Sequence, residues 1–367
     1  MNQEVKAKKL FSLPFKKKAD KSEKPVKKNP KQYVDFDRLS AKERWMIRLK
    51  SASFIFRFVW ALVRYVLLIG ISYVVIFPFI SKIFGSFMSP DDLVDVSVKL
   101  IPKYPTLDIY KAIITENYYF YAFTNTLLLS LSSAIIQMFT CSFIGYGLAK
   151  FKFRGHSLLF FLVVFTMVVP HETLQLSMFM KFRYFDIYGI YGFVMEKFVW
   201  LREALGVKYP YMNLINTFWP MLILSFGGLA FKNGLYIFIM RQFFKGVPDE
   251  LEEAAYMDGS GPIKTFWKIV LPISRPMMIT IFLFSFAWQW TDTFYTKMFF
   301  TSQGLYLMPD IVNVPDILND PTFVAQNLYS SAITNTCGLM IIIPLIVVYC
   351  FCQRYLVEGI ERSGIVG

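Results

Sequence analysis

His171 and Glu172 are adjacent, as in the opening of a His-Glu zinc motif. A zinc helix of the His-Glu-x-x-His type needs its second histidine four residues on, and position 175 is Gln. His156 is the only other histidine, so a His-rich metal site is excluded. Cys141, Cys337, Cys350 and Cys352 all sit in apolar runs, at spacings that match no zinc pattern and suggest no disulfide framework. Phosphate chemistry fares no better. A nucleotide-binding loop ends in Gly-Lys-Ser/Thr, and the chain contains no Gly-Lys dipeptide. The chain therefore reads as a non-enzyme with no metal and no cofactor of its own.

Binding chemistry is better represented. Trp288-Gln289-Trp290-Thr291-Asp292-Thr293-Phe294-Tyr295 sets flat aromatic rings beside hydrogen-bonding groups. That mixture suits sugar rings, which have apolar faces and many hydroxyls. The same residues would equally serve as aromatic anchors near a membrane edge. His171 and Glu172 follow Pro170 and either face a pore or cap a broken helix. Lys232 either meets a partner or snorkels to an interface, and Met178, Met180 and Met195 read as packing. The most informative stretch runs from Gly246 to Pro276. Pro248 suits a first helical turn, and Asp249, Glu250, Glu252 and Glu253 load the positive end of the helix dipole. Ala254 and Ala255 leave a thin face, and Asp258-Gly259-Ser260-Gly261-Pro262 stops the helix. A second short helix with Phe266, Trp267 and Ile269 follows. An acid-tipped helix of this kind is either an ordinary capped surface loop or a knob for another protein's groove.

The elements that carry these residues are membrane spans. Of the 367 residues 55% are hydrophobic and only 18% charged, with 39 Phe and 21 Tyr. An average soluble chain is about 25% charged, so an ordinary soluble enzyme is excluded, as is a disordered protein. Six segments approach the ~20 apolar residues a spanning helix needs. They lie near 62–86, 121–148, 157–180, 217–243, 274–297 and 331–353. Gly227, Gly228, Lys232 and Asn233 interrupt the fourth. Residues 1–50 carry 16 Lys/Arg against 6 Asp/Glu, which is +10 of the net +13. Residues 1–55 therefore form a basic, largely disordered tail, held near anionic lipid or docked on a partner through Phe11, Leu13 and Phe15, and not a nucleic-acid domain. No cleaved signal is expected, since the first apolar run begins after residue 53. With the N-terminus inside, the inner segments hold 28 Lys/Arg and the outer ones 9, which places both termini in the cytoplasm.

One family shares this pattern. Glu253-Ala254-Ala255, then Asp258-Gly259, then Ile269-x-Leu271-Pro272 resembles the coupling loop of ATP-binding-cassette importer permeases. Gly145-Tyr146-Gly147-Leu148-Ala149-Lys150 and the Lys152–Gly155 run that follows resemble the family's second cytoplasmic turn. Arg241-Gln242-Phe243-Phe244, Ile101–Leu107 and Gln353–Ile360 resemble the MalG-like carbohydrate branch. The likeness covers roughly residues 65–367, with the basic tail and an insertion near 186–212 as departures. Thr291 stands where the family commonly has Asn.

The resemblance implies an all-α membrane protein with the type I ABC importer permease fold, six transmembrane helices and a cytoplasmic coupling-helix loop at 246–272. It implies a multi-pass subunit of the bacterial inner membrane that forms half of a translocation path for an oligosaccharide. A non-sugar solute such as an amino acid or polyamine is the alternative. Implied partners are a second homologous permease, two cytoplasmic ATPases that bind ATP and Mg, and an extracytoplasmic solute-binding protein. Glu253, Ala254, Ala255, Asp258, Gly259, Leu271 and Pro272 would couple to the ATPase, with Glu253 meeting a basic residue there. Trp288, Gln289, Trp290, Asp292, Tyr295, His171 and Glu172 are the candidate substrate path.

Overall fold

The computed structural model describes residues 52–187, 189–200, 211–301 and 304–364. The basic tail is outside the described residues up to position 51, as are residues 201–210 of the expected insertion. The described chain is helical, apart from one isolated antiparallel bridge between Phe185 and Met212. The described residues divide into two units, with the boundary between Tyr73 and Val74.

Among the described residues three helices are long and apolar enough to cross a membrane, or up to five if each of two bent helix pairs is one span. The first, α1 (Ala52–Gly85), shows an apolar surface on all sides, as expected of a rod in lipid. The second, α2 (Tyr119–Lys150), buries Ser130, Ser133, Gln137, Cys141 and Gly145 along one face. The last, α10 (Gln326–Gly364), outruns its expected span at both ends.

The three segments expected as middle spans depart from simple rods, and the one expected near 217–243 is neither a long apolar helix nor one of the two bent pairs. The third is α3 (His156–Val168) followed by a short turn and α4 (Gln175–Arg183), bent by 97°. Pro170 causes the break: Val169 before it is extended, at ψ 120°, as a residue preceding proline must be. After α5 (Ile190–Lys197), the fourth is two short helices, α6 (Trp219–Phe226) and α7 (Asn233–Lys245). Gly227 to Lys232 separate them, as the interrupting glycines predict, with Gly228 and Lys232 both at positive φ. The break keeps its backbone satisfied, since the amides of Leu229 and Ala230 both donate to the Leu224 carbonyl at 2.9 and 3.0 Å. Irregular backbone at membrane depth needs such internal partners. The fifth is α9 (Arg275–Trp290), about 24 Å long at ~1.5 Å per residue. It is bent by 78° from the Pro262–Ile273 segment before it.

The core lies where α2, α7 and α9 meet. Cys141, Tyr146, Tyr236, Met240, Phe244, Phe266, Met277 and Ile281 form one buried cluster. Gly145 lets α2 and α7 touch: a Cβ there would stand 2.7 Å from the Met240 Cβ and 3.0 Å from the Arg241 amide nitrogen. Small residues at such crossings are how helices approach in lipid.

Candidate functional site

The acidic stretch forms α8 (Glu250–Met257), beginning two residues after Pro248 with Asp249 at the N-cap. Asp249 makes no side-chain cap, because its carboxylate turns to Lys150 instead. The helix stops in a Schellman arrangement: Ser260 N–H donates to Ala255 O at 2.9 Å and Gly259 N–H to Tyr256 O at 3.0 Å. Gly259 makes this possible at φ +76°. Pro262–Thr265, a π turn at Phe266–Val270 and Leu271–Ile273 lead back to α9. Leu271 packs on the core cluster, and Pro272 lies in the last short helix, which fixes the return path.

The helix is two-sided. Glu252 and Ala255 are buried, whereas Glu250, Leu251, Glu253, Ala254, Tyr256, Met257 and Asp258 are exposed. Met257 is 87% exposed and Ile263 beyond it 72%. The two alanines thus part company, Ala255 facing the protein and Ala254 facing out. Among the described residues Glu253 has no ion-pair partner.

Sequence reasoning missed what holds the inner side. Lys150, the last residue of α2, donates to Val247 O at 2.7 Å and to Asp249 Oδ1 at 2.5 Å. It also stands 3.4 Å from Glu252 Oε1, and both side chains are 8% exposed. Tyr146 O–H donates to the other Glu252 oxygen at 3.1 Å. Hydrogen bonding from Lys150 holds the Asp249 carboxyl below the ordinary carboxylate range. Arg241 acts one turn away: its Nε donates to Leu148 O at 3.1 Å while its guanidinium lies 3.8 Å from the Phe160 ring centroid. His156 Nε2, 2.8 Å from the same carbonyl, must carry a proton and donate. Together they cap the last turn of α2.

The candidate substrate residues do not form one group. His171 Nδ1 and Tyr295 O–H are 2.8 Å apart, and Phe231 joins them edge-on at 5.1 Å from the His171 ring. Phe231 in turn lies 5.4 Å from Trp288, with the Lys232 ammonium 4.6 and 5.1 Å from the two rings. His171 and Lys232 line a cleft of about 120 Å³ at the break between α6 and α7. A smaller pocket brings Gln289, Asp292 and Tyr295 together with Gln137 and Ser285. Asp292 also has a structural task, accepting from the Thr296 amide at 2.9 Å. Glu172 is exposed and lines a separate groove beside Lys297. Trp290 stands apart, fully buried against Phe123 and Phe286 with its indole N–H on Ile341 O at 3.0 Å. Phe231, Lys232 and Gln137 enter the cluster only through folding. The one signal for the first two was the glycine break next to them.

The segment expected to be an insertion is flanked by a bridge: Phe185 and Met212 exchange both backbone hydrogen bonds at 2.9 Å, one residue before and at the end of the 186–212 stretch. Phe193, Phe198 and Trp200 are exposed within it.

The pattern of broken spans around an outward-facing acidic helix has relatives. The profile of the family described as "Binding-protein-dependent transport system inner membrane component" matches residues 141–362. The galactooligosaccharides transport system permease protein GanQ of Bacillus subtilis is 23% identical over 314 residues, 85% of this chain and 97% of that protein. The maltodextrin transport system permease protein MalD of Streptococcus pneumoniae is 26% identical, over 82% of this chain and 93% of its own. The crystal structure of a bacterial ABC transporter involved in the import of the acidic polysaccharide alginate aligns with a TM-score of 0.59 and 22% identity, covering 83% of this chain and 98% of that one. That likeness establishes a shared fold. With the matched segment running from the last third of α2 into the final helix, the chain belongs to the family of inner-membrane components of binding-protein-dependent transport systems.

Proposed function

We propose that the chain is the permease subunit of an ATP-driven, binding-protein-dependent importer for an oligosaccharide. The names of GanQ and MalD support the substrate class. In this reading the chain spans the bacterial inner membrane six times, the bent and broken middle spans included, with both termini in the cytoplasm. Residues 1–55 are a basic cytoplasmic tail, 56–367 the permease domain and 186–212 an extracytoplasmic addition. A second permease completes the path, and a solute-binding protein delivers the sugar. Two ATPases bind ATP and Mg and close on α8, so that rigid-body rocking of helix bundles follows. The Trp288, Phe231, Tyr295 and His171 cluster lines the route.

The observation that carries the proposal is the division of α8 into a fastened inner row and a free outer row of Glu250, Leu251, Glu253, Ala254 and Met257. Liposomes holding the full assembly should take up sugar only with ATP and loaded binding protein. Uptake by this chain alone would refute the reading. A thermal-shift screen of the binding protein against sugar oligomers names the substrate, because a ligand raises apparent stability.

A further inference from the structure

Coupling through α8 requires that a push on its outer face reach the spans. A helix of eight residues held by its end turns alone would yield instead. We infer that Lys150 and Glu252 form a buried latch that fastens α8 to the end of α2, delivering force taken up by α8 to a packed bundle helix. The inference rests on α8 being the coupling helix and adds the part that the family-like motif leaves out. Glu253 faces the partner, and Glu252, its neighbour, faces the lever.

Lys150 is placed for this. Among the described residues the polar contacts of its ammonium come from residues 247–252: the Val247 carbonyl, Asp249 Oδ1 and Glu252 Oε1. Together these bracket the entry to α8 and its first turn. The Asp249 contact is exposed, with 79% of that side chain open, and exposed pairs contribute little. The Glu252 contact is different. Both side chains are 8% exposed, so neither charge can turn to water when the other moves. Tyr146 fixes the second Glu252 oxygen from one turn back along α2. Its ring packs against Phe244 and Phe266, centroids 5.6 and 4.9 Å away, on the segments before and after α8. One residue earlier, Gly145 seats α2 directly on α7. A displacement of α8 therefore has no soft element between it and the α2–α7 pair.

The test uses the complete importer in liposomes, reading solute moved per ATP hydrolysed. Lys150→Met alone strands a buried carboxylate, so the decisive variant is Lys150→Met with Glu252→Gln, which leaves no buried charge behind and only the exposed Asp249 carboxylate unpaired. Its solute-to-ATP ratio should fall about tenfold or more, the scale of a coupling free energy. The ATPase should still co-purify in the wild-type ratio. Lys150→Arg, which keeps the charge, should restore coupling to within about twofold, although its planar fork fits less well. Wild-type stoichiometry of transport in the double variant overturns the latch while leaving the coupling reading intact. Loss of the ATPase from the variant assembly also overturns it, since Lys150 then shapes the docking surface and not a force path. Failure of the wild-type chain to capture any ATPase overturns the coupling reading itself, and the latch with it.

Discussion

Substitution of Gly259 separates backbone strain from steric obstruction at the outer end of α8. The residue sits at φ +76°, and a Cβ built there meets nothing within 4 Å. A side chain at this position thus costs only the left-handed conformation, about 1–2 kcal/mol. Asn tolerates that region, so Gly259→Asn should cost less, and Gly259→Ala should pay the strain with little added bulk. Gly259→Trp carries the same strain as Ala but projects a large ring into the space where a partner would close. The Ser260-to-Ala255 and Gly259-to-Tyr256 hydrogen bonds are backbone interactions and survive in all three variants if the turn holds. Thermal unfolding in detergent should therefore group Ala and Trp together, both slightly below wild type. Solute-stimulated ATP hydrolysis by the assembled importer should instead group Asn and Ala with wild type and leave Trp inactive, with membrane insertion intact. Full transport by Gly259→Trp would refute docking at this end of α8. Equal loss of activity in Ala and Trp would refute the steric argument and make the turn itself the sensitive element.

Other expectations test other joints. Trp290 is fully buried and Trp288 is 50% exposed, so Trp290→Ala should destabilise the fold by about 3–5 kcal/mol. Trp288→Ala should leave thermal stability nearly unchanged while altering the KM of uptake; the opposite ranking would remove Trp288 from the route. Gly145→Val should lower thermal stability by about 1–3 kcal/mol, because its Cβ would crowd the Met240 side chain and the backbone of Met240 and Arg241. Deleting residues 188–210 should leave a folded protein, since Phe185 and Met212 already pair and a three-residue hairpin loop remains. If the insertion touches the binding protein, uptake should then need more of it; unchanged kinetics would remove that role.

Much of the frame is written in local runs. The ends of α2 fall within two residues of the apolar run at 121–148, and the Asp-Gly-Ser-Gly-Pro stop after α8 becomes a Schellman turn where it stands. The fourth-span break follows from Gly227 and Gly228, whose neighbours cannot hold a continuous helix cheaply. The bends of the third and fifth spans are less legible: Pro170 marks a break but not an angle of 97°. The site was read least well where side chains meet across the fold. Trp288 and Trp290 look alike in sequence, yet two positions on a helix are about 200° apart, so only tertiary packing decides which is core. Lys150 reads as one more basic residue flanking a span. Its buried contact with Glu252 joins positions far apart in the chain, which no local spacing encodes. Glu252 and Glu253 are likewise indistinguishable until the helix is laid on the bundle.

The account turns on the outer face of α8 meeting a nucleotide-hydrolysing partner. Replacing Glu253 with Cys puts a reactive thiol on that face without touching the buried row. In membranes holding the whole importer, a short bifunctional reagent at this thiol should link the chain to the ATPase, with a yield that changes when ATP is bound. A thiol at position 253 that never reaches the ATPase, in an importer that transports normally, would contradict the account.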